Sequence, residues 1–354
     1  MWGEDMAQDN KYYDGNRVIN TLDLDKQKPA IVMIAGNRTA GKTFWCKQYV
    51  VKKFLKRGSK FIILQRFGYQ LKGFADTFMK DLKQVIPEYA DYEMKENVIV
   101  KDCIYELKLN DNVCGYSVAL NNADNIKRNS TLFVDVDYIF LDEFQSETNK
   151  YCPDEVQKFI SIYTSVARGK GEQSRHVTAL LCSNNVTLLN PYYTALGVGS
   201  RIQKDTKILR GHGWVLEITF NENASNAMMN SGIGRAFAEH SYMKYSAQNI
   251  YLNDSNTFIE KLPSGIKPRI ECVLKYHDET YGMWNCGSFL YISTKYDPSC
   301  KVVFALDIHD HTAQSKLLGH GFQYRIWREL FDGGFFRFQN LKCKQILFDF
   351  LGYM

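Results

Sequence analysis

Apolar and polar positions along the first part of the chain follow two distinct patterns. Short, nearly unbroken apolar runs, typical of strands buried on both faces, occur at residues 30–35, 59–67, 136–144 and 176–185. Apolar side chains at helical spacing occur at residues 42–56, 71–85 and 153–168, and Pro153 stands at the expected start of the last of these helices. Strands that alternate with helices predict an α/β fold with a mainly parallel sheet covered on both faces.

The pattern changes twice farther along the chain. Residues 97–120 alternate apolar and polar side chains around Asn110–Asn112, which predicts a hairpin. Residues 221–249 are polar and rich in small side chains, which suits a partly helical linker. From residue 266 onward short strands and hairpins dominate, up to the closing stretch at 335–351. We therefore expect a second, smaller α+β domain after the linker.

The sequence GNRTAGKT follows the first apolar run and precedes the first helix, with the spacing of a P-loop. Glycines let such a loop turn its backbone N–H groups toward anionic oxygens, and the helix adds its positive N-terminal end. Lys42 is expected to reach the β- and γ-phosphates, and Thr43 to help hold Mg²⁺. The predicted nucleotide-binding residues of this loop are Gly36, Asn37, Arg38, Thr39, Ala40, Gly41, Lys42 and Thr43.

A second motif, YIFLDEF, ends another buried run in two carboxylates. Asp142 would lie at the carboxyl edge of the sheet, where α/β proteins bind ligands, and would complete the Mg²⁺ site. Glu143 is the predicted catalytic base, since hydrolysis needs a group that orients and polarises the attacking water. In LLCSNN, Ser183 and Asn184 end a third run, where they could sense the γ-phosphate or simply end a strand.

Several basic side chains lie near the same predicted edge. Arg66 ends the second strand and Lys72 follows it, so both could meet a phosphate backbone. Arg168 and Lys170 follow a helix and precede the Asn184 strand, although a solvated turn would have the same composition. Composition alone does not decide between these alternatives.

The composition of the whole chain permits a nucleic-acid partner without requiring one. The 354 residues favour two domains, and 44 Lys and Arg against 39 Asp and Glu give a net charge of +5. The nine cysteines show no C-x-x-C spacing, which favours reduced thiols over zinc or disulfides. The charged N-terminal stretch is unlike a signal peptide, and no stretch is long and apolar enough to span a bilayer.

Seven stretches, in order, resemble the genome-packaging ATPases of small short-tailed phages of the phi-twenty-nine type. SNNVTLLNPYY and YDPS are the most specific of the shared motifs. The matching stretches are IAGNRTAGKT, KRGSKFIILQRF, YIFLDEF, LLCSNNVTLLNPYY, FIEK, LYISTKYDPSCK and GFFRFQN, and the resemblance extends over most of the chain, from about residue 30 to its end.

This resemblance implies an additional-strand, catalytic-glutamate (ASCE) ATPase domain at 1–204, a linker module at 205–264 and a C-terminal domain at 265–354. The last would resemble an RNase H-like nuclease that has lost its active site. The resemblance also implies ATP and Mg²⁺ as ligands, double-stranded DNA as the cargo, and a homopentameric ring at the portal of a prohead. A packaging RNA occurs in some relatives. The location would be the host cytoplasm, with transient attachment to the portal vertex.

By matching position, the resemblance assigns Arg168 as the catalytic arginine supplied to a neighbouring subunit. The longer loop that follows leaves Lys170 and Arg175 as alternatives for that role. A second trans-acting basic residue falls at Lys127 or Arg128.

Two other classes of protein fit the same sequence. A terminase that also cuts DNA would need two or three carboxylates around metal ions about 4 Å apart. Asp297, Asp307, Asp310 and Asp332 are available, but none stands in a pair like Asp142 and Glu143. A nucleotide-binding assembly scaffold would turn over rarely, and Glu143 argues against it.

Overall fold

The computed structural model divides the chain into two compact units, Met1–Asn253 and Asp254–Met354. The residues that the structure describes are 12–148, 150–168, 173–188, 190–198, 201–202, 206–248, 258–276, 278–319 and 321–351. Each unit has its own sheet and its own hydrophobic core.

The first unit is built on a nine-stranded sheet with strand order β3-β4-β5-β2-β6-β7-β1-β9-β8. Its strands are β1 Ile31–Gly36, β2 Lys60–Gln65, β3 Met94–Val100, β4 Ile104–Leu109, β5 Asn112–Ala119, β6 Val136–Asp142, β7 Thr178–Asn184, β8 Ile208–Arg210 and β9 Trp214–Thr219. The six strands from β5 to β9 in this order are parallel, and antiparallel strands lie at both edges. The predicted mainly parallel α/β sheet is confirmed.

Helices cover both faces of this sheet, because its central strands are apolar on both sides. The helices are α1 Asn16–Ile19, α2 Lys42–Arg57, α3 Phe74–Val85, α4 Ala123–Arg128, α5 Glu155–Val166 and α6 Pro191–Ala195. One buried cluster packs α4 and α5 against the sheet, and the other packs α2 and α3 against the opposite face.

Two local predictions can be compared with the structure. The hairpin is confirmed, since β4 and β5 pair around Asn110 and Asp111, which both have positive φ, as tight hairpin turns require. The start of α5 differs from the prediction. Asp154 adopts a left-handed conformation as the N-cap, so the helix begins at Glu155, and Pro153 lies outside it.

The sheet of the first unit extends beyond residue 204. β9 pairs with β1, and β8 pairs with β9, so the predicted domain boundary falls two strands before the end of the sheet. The linker residues then form α7 Glu222–Asn230, α8 Gly232–Ala236 and α9 Ser241–Gln248, which confirms a partly helical segment. These helices belong to the first compact unit.

The second unit contains a six-stranded mixed sheet with strand order β14-β13-β10-β11-β12-β15. Its elements are β10 Arg269–Tyr276, β11 Glu279–Asn285, β12 Leu290–Ser293, β13 Val303–Ala305, β14 Lys316–Leu317, α10 Phe322–Asp332, β15 Phe336–Phe338 and α11 Leu341–Leu351. The closing stretch is therefore a strand only at its start. Cys343, Ile346, Leu347 and Leu351 are buried at helical spacing, which favours a helix for the remainder.

All nine cysteines are free thiols, and seven of them are buried. Within the described ranges, no helix is both long enough and apolar enough to cross a bilayer.

Candidate functional site

The candidate site lies where three neighbouring parallel strands end. Gly36 at the end of β1 is paired with Asn184 at the end of β7, and Asp142 at the end of β6 is paired with Cys182 on β7. Parallel pairing in this register brings the predicted P-loop, the predicted magnesium ligand and Asn184 to one edge of the sheet.

The loop between β1 and α2 depends on two of its glycines. Gly41 has a φ of 94°, a left-handed conformation that places it directly before Lys42 at the start of α2. A methyl group on Gly36 would come 2.3 Å from the carbonyl oxygen of Thr219 on β9. The loop conformation therefore requires glycine at both positions, for different reasons.

Lys42 crosses the mouth of this loop. Its side chain is 5% exposed, and Nζ donates to the carbonyl oxygens of Asn37 (2.6 Å) and Gly36 (3.3 Å) and to Oδ1 of Asn184 (3.3 Å). Burial lowers the pKa of Lys42 to about 8, although the charge of Asp142 opposes the shift. A buried ammonium that faces only neutral acceptors would be stabilised by an anion in the loop, so the residues present fit a bound phosphate.

Asp142 receives three hydrogen bonds on one oxygen. The Thr43 hydroxyl, the Cys182 thiol and the backbone N–H of Glu143 each donate to Oδ1 at 3.0 Å. Full burial raises the pKa of the Cys182 thiol, and the neighbouring Asp142 adds to the shift, so the thiol stays a donor. These contacts fix the carboxylate beside Thr43, an oxygen-donor set that suits Mg²⁺.

Glu143 follows Asp142 in an unusual backbone conformation. Its φ is 54°, which is uncommon for a residue with a side chain, and its carbonyl oxygen accepts from Arg66 Nη2 at 3.1 Å. The side chain remains accessible at the site. Partial burial in the cleft, with repulsion from Asp142 and Glu147, raises the pKa of Glu143. A carboxylate made more basic in this way is suited to accept a proton.

Arg66 is occupied within the chain. Its Nε and Nη2 donate to the two oxygens of Glu155 at 2.7 and 2.9 Å, with the arginine side chain 9% exposed and the glutamate 1% exposed. The same Nη2 reaches the carbonyl oxygens of Glu143 and Phe144. Removing one partner of such a buried pair costs about 3–5 kcal/mol. This placement favours a role in holding the Glu143 turn over the predicted contact with DNA.

Sequence reasoning missed Glu147, which joins several parts of the site. Oε1 accepts from Arg38 of the loop (3.2 Å), Asn184 Nδ2 (3.2 Å) and the Tyr245 hydroxyl (2.8 Å), and Oε2 accepts from Tyr242 (3.1 Å). The hydrogen bond from Tyr245 and the charge of Arg38 lower the pKa of Glu147, although burial opposes them. Asn184 therefore contacts both Lys42 and Glu147. Glu147 in turn contacts Tyr242 and Tyr245 on α9.

The other predicted basic residues are exposed or lie outside the described residues. Lys72 is exposed after β2, Lys127 and Arg128 are exposed in the last turn of α4, and Arg168 is exposed just beyond α5. Lys170 lies outside the described residues.

Arg175, the alternative to Arg168, is 7% exposed. It contacts Asp137 at 3.2 Å and the carbonyl oxygens of Val166, Phe133 and Val136. Arg175 therefore makes its contacts within its own chain, whereas the Arg168 side chain is exposed.

Four aspartates of the second unit contact other residues of the same unit. Asp297 accepts from Ser299, Asp307 from the backbone of His309, and Asp310 from the backbone of Asp278. Asp332 pairs with Arg328 on the same helix. Across the part of the chain that the structure describes, no group of three His, Cys, Asp or Glu side chains is arranged to hold a metal ion.

The fold defines a class of protein, the α/β proteins with a mainly parallel sheet, and the candidate site lies at the carboxyl edge of that sheet. Comparison with known proteins then identifies the family. The model of the podovirus DNA encapsidation protein (Gp16) family matches residues 9–354, and the chain belongs to this family.

Individual relatives agree with this placement. A DNA packaging protein of Bacillus phage phi29 is 26% identical over 324 residues, which cover 89% of this chain and 91% of the phage protein. Among solved structures, a chain of the bacteriophage Phi-29 viral genome packaging motor assembly matches with 22% identity and a TM-score of 0.67, covering 97% of this chain and 98% of that chain. The Phi-28 gp11 DNA packaging motor matches with 15% identity and a TM-score of 0.64, covering 98% and 99%. The structural matches show a shared fold.

Proposed function

We propose that this protein is an ATP-hydrolysing motor that moves double-stranded DNA into a preformed phage prohead. The observation that carries the proposal is the convergence of Lys42, Thr43, Asp142 and Asn184 at adjoining strand ends, with Glu143 directly beyond them. Family membership supports DNA as the cargo, and the P-loop and acidic motifs support ATP as the fuel.

In this proposal the loop from Gly36 to Thr43 holds the phosphates, and Thr43 with Asp142 holds Mg²⁺. When bound, Mg²⁺ neutralises part of the phosphate charge. When a nucleotide binds, Lys42 would contact phosphate oxygens in place of the backbone carbonyl oxygens. Asn184, whose side-chain oxygen accepts a hydrogen bond from Lys42, would then change its position or its partner. Glu143 orients the attacking water and accepts its proton on the side-chain carboxylate.

Arg168 acts on the neighbouring subunit's nucleotide in the proposed ring. Its guanidinium is exposed beyond α5, where it is available to another chain. A planar guanidinium suits phosphate oxygens better than the point charge of a lysine. We propose a homopentameric ring that attaches to the prohead portal. This ring size is implied by the resemblance to phi-twenty-nine-type motors, some of which also use a packaging RNA.

DNA would be held through its phosphates, because a packaging motor must accept every sequence in the genome. Lys72, Lys127 and Arg128 are exposed and are the candidates for this grip or for a trans-acting role. Arg66 instead holds the Glu143 turn. Binding through phosphates predicts affinity that falls steeply as salt rises.

The domain assignments belong to the same proposal. We propose that the helices α7 to α9, which follow the last strand of the first sheet, act as a linker module, and that the second unit, residues 254–354, is related to RNase H-like nucleases and is inactive. The local pairing of Asp297, Asp307 and Asp332 supports an inactive domain.

The test is ATP turnover by the purified protein alone, with DNA, with proheads, and with both together. We expect the highest rate only with both, and no turnover by the Lys42→Ala variant in any mixture. A slow rate that is unchanged by DNA and proheads would contradict a motor and favour the assembly scaffold.

A further inference from the structure

A cavity lies at the edge of the first sheet that is opposite the candidate nucleotide site. Its lining includes Val32 near the start of β1, Tyr138 near the start of β6 and Thr178 at the start of β7. These three strands are neighbours and run parallel, so their first residues lie together at the amino edge of the sheet. The cavity is therefore separate from the loop and the carboxylates at the carboxyl edge.

Four basic side chains from three segments line this cavity. Lys28 precedes β1, Lys53 and Arg57 belong to α2, and His176 precedes β7. No acidic residue is among the described residues of the lining. Within the part of the chain that the structure describes, none of the four basic side chains forms an ion pair with a carboxylate. The cavity thus gathers positive charge that no described carboxylate neutralises.

Packing on α2 fixes the position of the central lysine. Tyr49, Lys53 and Arg57 follow one another at intervals of four residues, so they share one face of the helix. The Lys53 ammonium lies 4.9 Å from the centroid of the Tyr49 ring. The Tyr49 ring meets the Tyr138 ring edge to face, with centroids 5.5 Å apart. The half-buried Lys53 side chain is therefore held beside the cavity by two packed aromatic rings.

The basic groups raise one another's electrostatic cost. Burial lowers the pKa of Lys53, and the charges of Arg57, Lys56 and Lys28 add to the shift. Burial also lowers the pKa of His176, and the charge of Lys28 adds to that shift. An anion placed between these groups would offset their mutual repulsion.

The dipole of α2 accounts for only part of this cluster. Lys56 and Arg57 occupy the last turn of the helix, where cations interact favourably with the helix dipole. Lys53 lies before that turn, and the dipole effect is confined to the last turn. Lys28 and His176 belong to other segments altogether.

We infer that this cavity binds a phosphate group, which Arg57, Lys53 and Lys28 contact together. The planar guanidinium of Arg57 suits two oxygens of one phosphate, and the two ammonium groups act as point charges. Three positive charges exceed what one carboxylate of a protein partner would neutralise, which favours phosphate. The cavity has a volume of about 160 Å³. This is below the roughly 300–1,000 Å³ of sites for drug-sized ligands, so a single compact group fits better than a nucleotide.

Two sources can supply such a group, namely free inorganic phosphate and the backbone of DNA. The experiment therefore measures dissociation constants for inorganic phosphate and for a short DNA duplex at one fixed ionic strength. Mg²⁺ and the non-hydrolysable ATP analogue adenylyl imidodiphosphate are present in excess, so that the predicted P-loop is occupied and does not take up the added phosphate.

Two double variants of the full-length protein are compared. The cavity variant is Lys53→Gln with Arg57→Gln, and the matched control is Lys52→Gln with Lys56→Gln. The control removes the same charge from the same helix, including one residue of its last turn, at exposed positions that do not line the cavity. We expect the cavity variant to weaken phosphate or duplex binding at least tenfold and the control to stay within twofold of wild type. Lys28→Gln, on another segment, should reproduce the loss to a smaller degree.

The pattern of losses identifies the source of the phosphate. Loss of phosphate binding with unchanged duplex affinity identifies free phosphate as the ligand, and loss of duplex affinity assigns the cavity to the DNA backbone. Equal losses in the two double variants would overturn the site, because general positive charge would then explain the binding. Unchanged binding of both ligands by the cavity variant would also overturn it and favour an acidic protein partner. Failure to bind adenylyl imidodiphosphate would contradict the proposed function instead, and the two double variants would still test the cavity.

Discussion

The two compact units of this protein use their carboxylates in opposite ways. In the first unit Asp142, Glu143 and Glu147 lie together at the end of the sheet, where burial and the charges of Asp142 and Glu147 raise the pKa of Glu143 and Asp142 contacts Thr43 of the loop. In the second unit Asp297 and Asp307 each accept hydrogen bonds from residues two positions away. The first arrangement brings carboxylates of like charge close together, whereas in the second each carboxylate has hydrogen-bond donors beside it.

A candidate site is therefore marked by side chains that several strands and loops bring together, more than by the number of acidic residues. Glu143 has a strained backbone, and partial burial together with the neighbouring carboxylates raises its pKa. Such an arrangement persists only where surrounding contacts hold it, as Arg66 and Glu155 do here.

The largest loss of activity is expected from changing Arg168, which we propose acts on the nucleotide of a neighbouring subunit. Arg168→Ala should leave ATP binding unchanged and lower hydrolysis by about 10³–10⁵, because the transition-state charge loses its trans-acting cation. ATP affinity and steady-state turnover of the pure variant measure the two effects separately.

Mixed rings show which subunit uses the arginine. Arg168→Ala subunits mixed with Lys42→Ala subunits should recover part of the activity, since an intact loop can then face an intact Arg168. If no mixing ratio restores turnover, Arg168 acts within its own subunit or Lys170 takes its role.

Glu143→Gln should have the next largest effect. The variant should bind ATP with wild-type affinity and lose about 10²–10⁴ in turnover, because the amide cannot accept the proton from water. Lys42→Ala, by contrast, should lose binding itself. Near-normal hydrolysis by Glu143→Gln would remove Glu143 from the catalytic role.

The pH profile of the wild-type protein checks the same residue. A raised pKa keeps Glu143 protonated to a higher pH than an ordinary glutamate. The acidic limb of turnover should therefore lie above the range of an unperturbed carboxylate.

A smaller effect is expected at Glu147, which contacts the site without contacting the proposed magnesium ligands. Glu147→Gln removes the charge that Arg38 and two tyrosines share, so turnover should fall about tenfold, the loss expected for one charged hydrogen bond. Glu222→Gln, at an exposed position on α7, is the matched control. Equal rates in the two variants would mean that Glu147 only supports the linker helices.

The smallest effects are expected in the second unit. Asp297→Ala and Asp307→Ala should leave ATP turnover within twofold of wild type, since each carboxylate accepts hydrogen bonds within a turn of the second unit. Supercoiled plasmid incubated with Mg²⁺ or Mn²⁺ should stay intact. Nicking that copurifies with the protein and disappears in these variants would revive the terminase alternative.

The sequence predicted the parts of the site that carry local patterns. Lys42, Thr43 and Asp142 follow short motifs, and the register of parallel strands brings them together as expected. The parallel sheet itself followed from apolar runs alternating with helices. The sheet and the positions of these residues could be predicted because a motif and the element that carries it lie within a few residues of each other, whereas the roles of the residues stay predictions.

The parts that escaped prediction depend on contacts between distant residues. Glu147 meets Tyr245 across 98 positions, and Arg66 meets Glu155 across 89. No spacing rule links such pairs, because only the folded sheet and linker bring them together. Helix α11 was not predicted for another reason. Its apolar residues follow closely after those of the strand β15, so the sequence does not show where the strand ends and the helix begins.

We propose that ATP hydrolysis at this site drives DNA into a prohead. This proposal is tested most directly by the amount of DNA that becomes resistant to nuclease when purified proheads, DNA, ATP and this protein are combined. We predict protected DNA with the wild-type protein and with Asp297→Ala, and none with Glu143→Gln or with a non-hydrolysable ATP analogue. Protection of DNA by Glu143→Gln to the wild-type level would contradict the account.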